Sequence, residues 1–386
     1  MLSVLKLTRG WHSLPCGMSI AFPYHPPTPA PQTLKERVEA FWNWYAANAL
    51  AFFNAIEEGQ CSSLQPSVSA AVDVLLPEMA WVFGPGPDRV GHSFTLSPEA
   101  NPYRRLISQY WRERAPQLEG WTFHSSRQAG NVVPGMSMRI GEHTYRPEEI
   151  WVTPWVDEQE EMIDLTIWHA AFDTAPPDHR GLATFLWLDE VLSENDVTNW
   201  IGDIKFGDDQ LSQAISLMEL PEFIADLQQE RGWEKYPPGE AYLSYHGPAH
   251  QNSNADQEQE NDEAPPLRSD IIAGSTTLFH LVCNYPLEEN PVASLGAEFI
   301  MIVLPTAQLP KGSEVDERGK LEDSLDELLK SHGAGIVLGG AVGVWNSYID
   351  LVFYDGERSR QLVLDALANG KFGDTAWLAP FTPEDL

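Results

Sequence analysis

Between residues 33 and 59 the chain reads TLKERVEAFWNWYAANALAFFNAIEEG, and this stretch limits the possible architecture more than any other. Apolar side chains fall at Leu34, Val38, Phe41, Trp42, Tyr45, Ala49, Phe52, Phe53 and Ile56. Intervals of three and four draw them into one broad stripe along an α-helix. Thr33 followed by Glu36 fits a capping box, and Gly59 suits the left-handed residue that closes a helix. Burial of each Phe or Leu contributes roughly 1.5–3 kcal/mol gross. The stripe therefore predicts a long helix on which a sheet packs; the competing reading is a solvent-facing aromatic docking face.

At 386 residues the chain has length for two or three domains. The alternation of helical and strand patterns predicts an α+β protein. It would consist of two αβ sandwich-like (ferredoxin-like) units of mostly antiparallel sheet packed by helices. A proline-rich lead-in occupies 1–32, with translation starting at Met1 or Met18. The first α+β domain spans 33–232, an acidic linker or loop 233–268, and a second α+β domain 269–386. In the first domain the order is helix, helix, strand, strand, helix, strand, with Pro66 opening the second helix and Asn101-Pro102 the third. Strands MSMRI, EIWVTPWV and EMIDLTIWHAAF follow, and LATFLWL at 182–188 reads as a buried strand. Residues 249–266, AHQNSNADQEQENDEAPP, hold almost nothing apolar to offset the entropy of ordering. Beyond them STTLFHLVCNY and AEFIMIVLP read as strands, a helix covers 318–332, and a strand pair, a helix and TAWLAPF complete the chain.

Lys and Arg number 24 against 56 Asp and Glu, a net charge of −32. That field repels phosphate backbones and anionic lipid, which excludes general nucleic-acid and membrane binding and favours encounter with a basic protein partner. No apolar run reaches the ~18–20 residues needed to span a bilayer. Cys16, Cys61 and Cys283 form neither a CxxC pair nor an even set, so the chemistry fits a reducing, cytoplasmic setting without a cysteine-based metal site.

Motifs for chemistry are sparse. Gly333-Ala334-Gly335-Ile336-Val337-Leu338-Gly339-Gly340 has Leu338 where a dinucleotide loop needs glycine, and strand-like sequence follows, so no cofactor is expected. His246 and His250 have the spacing of helical metal ligands, but the glycine and proline of YHGPAH break such a helix, so no metal is expected. The densest titratable collection is Asp164, Trp168, His169, Asp173, Asp178 and His179. Asp164 and His169 are the candidate acid–base pair. Against that role, His169 lies in phase with Ile163, Leu165 and Ile167, which predicts a packed ring. Cys283 is expected in a buried strand, where its thiol would be inert. Arg104, Arg105, Arg112 and Arg114 form the one basic concentration and are expected to pair with carboxylates of the chain itself.

FWNWYAANALAFF together with APQLEGWTFH is similar to uncharacterised bacterial proteins of the domain-of-unknown-function kind, over about residues 33–230. The C-terminal αβ pattern, about 270–380, resembles the acidic ribonuclease E inhibitor B type of regulator. Neither pattern defines catalytic or binding residues to carry over. The resemblances and the charge lead to the expectation of a non-catalytic interaction or regulatory protein, inhibitor- or immunity-like, with an acidic surface. The alternative is an enzyme using Asp164 and His169.

Overall fold

Thr33 starts α1 (Leu34–Glu57) as the sequence predicts: its Oγ1 accepts from Glu36 N at 3.3 Å while Glu36 Oε2 accepts from Thr33 N. Gly59 stands at φ +72° just past the end. The structure, a computed structural model, describes residues 24–234, 236–248, 266–373 and 375–382. Most of the lead-in, and residues 249–265 of the acidic stretch, lie outside the described residues. Phe41, Tyr45 and Phe52 are fully buried and Trp42 nearly so, which settles the stripe as core.

The stripe packs on α2 (Gln65–Leu75), α3 (Pro102–Glu113) and a three-stranded sheet of β1 (Ala80–Pro85), β2 (His92–Ser97) and β3 (Trp121–His124). Trp42 stacks on Trp111 at 4.5 Å between centroids and meets Phe123 edge-on at 4.7 Å, and its indole N–H donates to the Trp111 carbonyl. Such aromatic pairs add about 0.5–1.5 kcal/mol each beyond their burial.

The C-terminal part builds an all-antiparallel six-stranded sheet, in the order β10 (Leu243–His246), β11 (Ile271–Thr276), β13 (Gly335–Gly343), β14 (Asn346–Phe353), β12 (Glu298–Pro305), β15 (Trp377–Pro380). Both faces are buried. Phe299, Met301 and Val303 of β12 join the core under α1, whereas Ile300, Ile302 and Leu304 pack with α8 (Glu314–His332) and α9 (Glu357–Asn369). Two covered faces explain why EFIMIVLP is a continuous apolar run. The glycine-rich motif is β13 itself. Gly339 stands at φ +138°, and a Cβ there would sit 2.1 Å from the Ser275 carbonyl, so glycine permits the close approach of β11.

The chain is α+β, and the first and last sets of elements share one continuous core. Two backbone bonds tie them: Leu34 N donates to Gly296 O and Lys35 N to Tyr354 O, both at 2.9 Å. These are helix-start N–H groups that no carbonyl within the helix can satisfy. Tyr110 of α3 lies 4.3 Å from the Tyr354 ring, and its hydroxyl donates to Gly333 O at 2.8 Å.

A second core belongs to residues between these sets. It lies under β6 (Trp151–Asp157), β7 (Met162–Trp168), β8 (Ile201–Phe206) and β9 (Ile215–Ser216), ordered β8-β7-β6-β9, with α4 (Pro177–Leu192), α5 (Glu194–Trp200) and α6 (Leu220–Arg231) on one face. A hairpin of β4 (Met138–Ile140) and β5 (His143–Tyr145) completes it.

Two predicted strands are helices. LATFLWL lies in α4: Ala183, Thr184, Trp187 and Leu188 are buried at helical spacing while Phe185 is half exposed, so a period of 3.6 and not 2 governs this apolar run. STTLFHLVCNY begins in β11 but turns at Thr276, whose Oγ1 accepts from Leu278 N, into the short helix α7 (Phe279–Cys283). Cys283 is consequently exposed and not buried in a strand.

Substitution Phe41→Ala should destabilise the protein by about 3–5 kcal/mol through a cavity in the shared core. Leu50→Ala on the same helix, at a position 74% exposed, should change stability by less than ~0.5 kcal/mol. Chemical denaturation followed by tryptophan fluorescence distinguishes the two.

Candidate functional site

The four-stranded sheet has helices on one face only. Alternation along β7 sends Ile163, Leu165 and Ile167 into the core and Met162, Asp164, Thr166 and Trp168 to the other face. Register carries this across to β6, where Trp151 lies opposite Trp168, Thr153 opposite Thr166 and Trp155 opposite Asp164. Trp151, Trp155 and Trp168 belong to none of the three apolar cores, and Trp155 is 51% exposed.

Hydrogen bonds at the indole edges fix the rings. Trp155 Nε1 donates to Thr166 Oγ1 and Trp168 Nε1 to the Asp208 carbonyl, both at 3.2 Å. Asp164 Oδ1 accepts from Asp203 N at 2.8 Å. A Cβ at residue 202 would come 2.4 Å from that oxygen, so Gly202 lets β8 approach the carboxylate. Around the rings stand the exposed Asp157, Asp203, Asp208 and Asp209, with Lys205 of β8 on the same sheet. The result is a partly covered aromatic face beside exposed carboxylates, on which Trp155 stands out while Trp151 and Trp168 are half-buried and Thr153 is buried. Electron-rich ring faces beside carboxylates attract cations, with cation–π contacts contributing about 0.5–2 kcal/mol each.

The predicted site residues divide between the two faces. Asp164 is on the open one. His169, just past β7, is buried against Tyr145 and Phe172, with ring centroids at 5.2 and 5.6 Å. Its Nδ1 accepts from Ala171 N, and its Nε2 lies 3.9 Å from Glu149 Oε2. Burial pushes the ring below the ordinary histidine pKa, with a smaller opposing pull from the Glu149 carboxylate. Five positions of extended chain, about 16 Å, and opposite sheet faces separate Asp164 from His169, so the two do not form an acid–base pair. His179, at the start of α4, meets the His143 ring edge-on at 6.2 Å. His246 lies on β10; His250 is outside the described residues. Among the described residues no group of three or more His, Cys, Asp or Glu side chains converges to hold a metal ion.

Three of the four arginines are held internally. Arg104 pairs with Glu78, Arg105 Nη2 donates to the side-chain oxygens of Asn195 and Asn199, and Arg114 lies 3.4 Å over the Tyr110 ring. Arg112 lines a polar cleft of about 350 Å³ with His124, Ser126, Ser193 and Asp196. Burial, and secondly Arg112, hold His124 below the usual histidine range.

Beside this cleft Glu194 is buried and accepts from Ser97 Oγ, Ala100 N and Arg127 N at 2.8–3.0 Å. It thereby bridges β2 to the start of α5. Asp189, nearby on α4, is pushed up to about 7 by burial and then by the Glu194 carboxylate. The sequence does not mark Glu194 or Asp189, since neither sits in a motif. Trp151 and Trp155 carried a readable signal: they recur in phase with Asp164 and Trp168, opposite the apolar set of the hairpin.

Comparison with family models, curated proteins and solved structures returns no match for this chain.

Asp189 gives a pH dependence of stability. Its folded pKa exceeds the unfolded value of about 3.9, so the folded state binds the extra proton and stability from this group falls as pH rises from about 4 to about 7. Asp189→Asn removes the titration. At pH 8 the variant should be more stable than the native protein by on the order of 2 kcal/mol, a gap that closes toward pH 4. Denaturant titrations at the two pH values measure it.

Proposed function

We propose that this chain is a non-catalytic interaction protein, regulatory and inhibitor- or immunity-like, that binds a basic protein segment on the open face of the β8-β7-β6-β9 sheet. One observation carries the reading: Trp155 stands 51% exposed on the sheet face opposite the apolar core, between the half-buried Trp151 and Trp168 and beside exposed carboxylates. Tryptophan left outside a core forgoes burial free energy, which a partner's apolar stems and cationic heads would restore. The net charge of −32 steers such a partner toward the molecule, and Trp155 with Asp164 across the strand pair supplies a ring face and a carboxylate for one Arg or Lys head. Unpaired Cys61 and Cys283 fit action in the cytoplasm.

Calorimetric titration with a twelve-residue peptide of alternating Arg and Thr tests the reading. Trp155→Ala should weaken binding about fivefold, equivalent to about 1 kcal/mol. Asp164→Asn, which keeps the acceptor for Asp203 N, should weaken it and flatten its salt dependence. Trp345→Ala removes a ring of similar exposure, 55%, from the turn between β13 and β14 and should leave affinity unchanged. Equal losses at Trp155 and Trp345, or no binding at all, would refute the assignment.

A further inference from the structure

The polar cleft of about 350 Å³ lies where the end of α3, the chain from the end of β3 and the start of α5 come together. Arg112, His124, Ser126, Gln128, Asn195 and Asp196 line it. Arg112 is exposed, and among the described residues its guanidinium reaches no carboxylate or other acceptor. Acidic residues outnumber basic ones 56 to 24 in this chain, so scarcity of partners does not explain an unmatched arginine. Its charge is felt inside the cleft. After burial, Arg112 is what holds His124 below the usual histidine range, and no carboxylate pulls that ring the other way. His124 is therefore neutral near pH 7 and adds no second positive charge. Asn195 gives its side-chain oxygen to Arg105 at 2.7 Å, which leaves its amide N–H groups as the unengaged end. Gln128 is the reverse: its Nε2 donates to the Ser126 carbonyl at 2.9 Å, and its oxygen is left over.

We infer that this cleft binds a small zwitterion of the free α-amino acid class, with its carboxylate on Arg112 and its ammonium on Asp196. Charge makes the selection. A simple anion would meet the Asp196 carboxylate in a molecule of net charge −32, and a simple cation would meet the Arg112 guanidinium. A zwitterion brings the opposite charge to each and crosses the surrounding field with no net charge of its own. The planar guanidinium fork matches a carboxylate through two parallel hydrogen bonds. A carboxylate has about four acceptor positions, so Asp196 takes the ammonium in addition to the contacts it already makes. The volume stands at the low end of the range of about 300–1,000 Å³ typical of small-molecule sites, which suits a ligand of amino-acid size. The spare N–H groups of Asn195 and the spare oxygen of Gln128 complement an amide side chain, which offers the reverse pair. This site is separate from the tryptophan-bearing sheet face and does not depend on the role assigned to it.

L-glutamine, a zwitterion with an amide side chain, is the probe. Titrated calorimetrically into the full-length protein, it should bind saturably at one molecule per chain. N-acetyl-L-glutamine lacks the ammonium and L-glutaminamide lacks the carboxylate, and each should bind at least about tenfold more weakly. Arg112→Gln changes an exposed side chain and leaves the cores intact. It should weaken L-glutamine by at least about tenfold while leaving L-glutaminamide unaffected. Asp196→Asn should weaken L-glutamine and leave N-acetyl-L-glutamine unaffected. Trp155→Ala should leave L-glutamine binding unchanged. Absence of saturable L-glutamine binding, equally tight binding of either blocked compound, or indifference to Arg112→Gln would each overturn the inference.

Discussion

The start of α1 is where the two ends of this chain are joined. Four N–H groups at a helix start lack partners within the helix. Here the Thr33 hydroxyl takes one and the carbonyls of Gly296 and Tyr354 take two more. Asp355 adds a carboxylate 3.2 Å from Lys35 Nζ and 3.3 Å from Thr33 Oγ1, close to the positive end of the helix dipole. Gly296 makes the approach feasible: at φ +75°, any Cβ would stand 2.3 Å from Gln32 O. The aromatic stripe then has a fixed height and rotation over the layers beneath it, and Phe41, Trp42 and Tyr45 meet Trp111, Phe94 and Phe123 in defined geometries.

Because that core covers the centre of one face of the six-stranded sheet, and α8 with α9 cover the other, the large sheet keeps exposed side chains mainly toward its edge strands β10 and β15. The smaller β8-β7-β6-β9 sheet is different. Its three helices lie on one side, and among the described residues no apolar core forms on the other, where Trp155 stays exposed. Function is therefore sought on the smaller sheet for a structural reason: it is the layer with an aromatic face outside the apolar cores. Glu194 ties this layer to the first by accepting from Ser97 and Ala100 on one side and Arg127 on the other.

Local chemistry was the legible part of the sequence. The capping box of Thr33 and Glu36, the proline starts at Pro66 and Pro102, and the alternation of β7 all act over a few residues, and each appears where the spacing puts it. Runs that are apolar at every position were less legible. EFIMIVLP and LATFLWL look alike as strings, yet one is a doubly covered strand and the other a helix with Phe185 exposed, because a short run that is apolar throughout carries no period to read. The packed state of His169 could be read from its phase with Ile163 and Ile167. The sharing of one core between distant segments could not, since nothing in the stripe of α1 says which sheet it will meet. Arg268 escaped notice for a related reason. Its buried guanidinium is held by Asp350 and Tyr245, partners 82 and 23 positions away.

The tie between α1 and the far end of the chain has a consequence during synthesis. Lys35 and Asp355 are 320 positions apart. At translation speeds of about 5–20 residues per second, the nascent helix waits on the order of tens of seconds for the strands that complete its surroundings. Throughout that interval only the part of the core that β12 and β14 complete lacks its cover, since Phe94, Trp111 and Phe123 already stand against the aromatic stripe. Such a polypeptide is a natural client for chaperones that hold emerging chains.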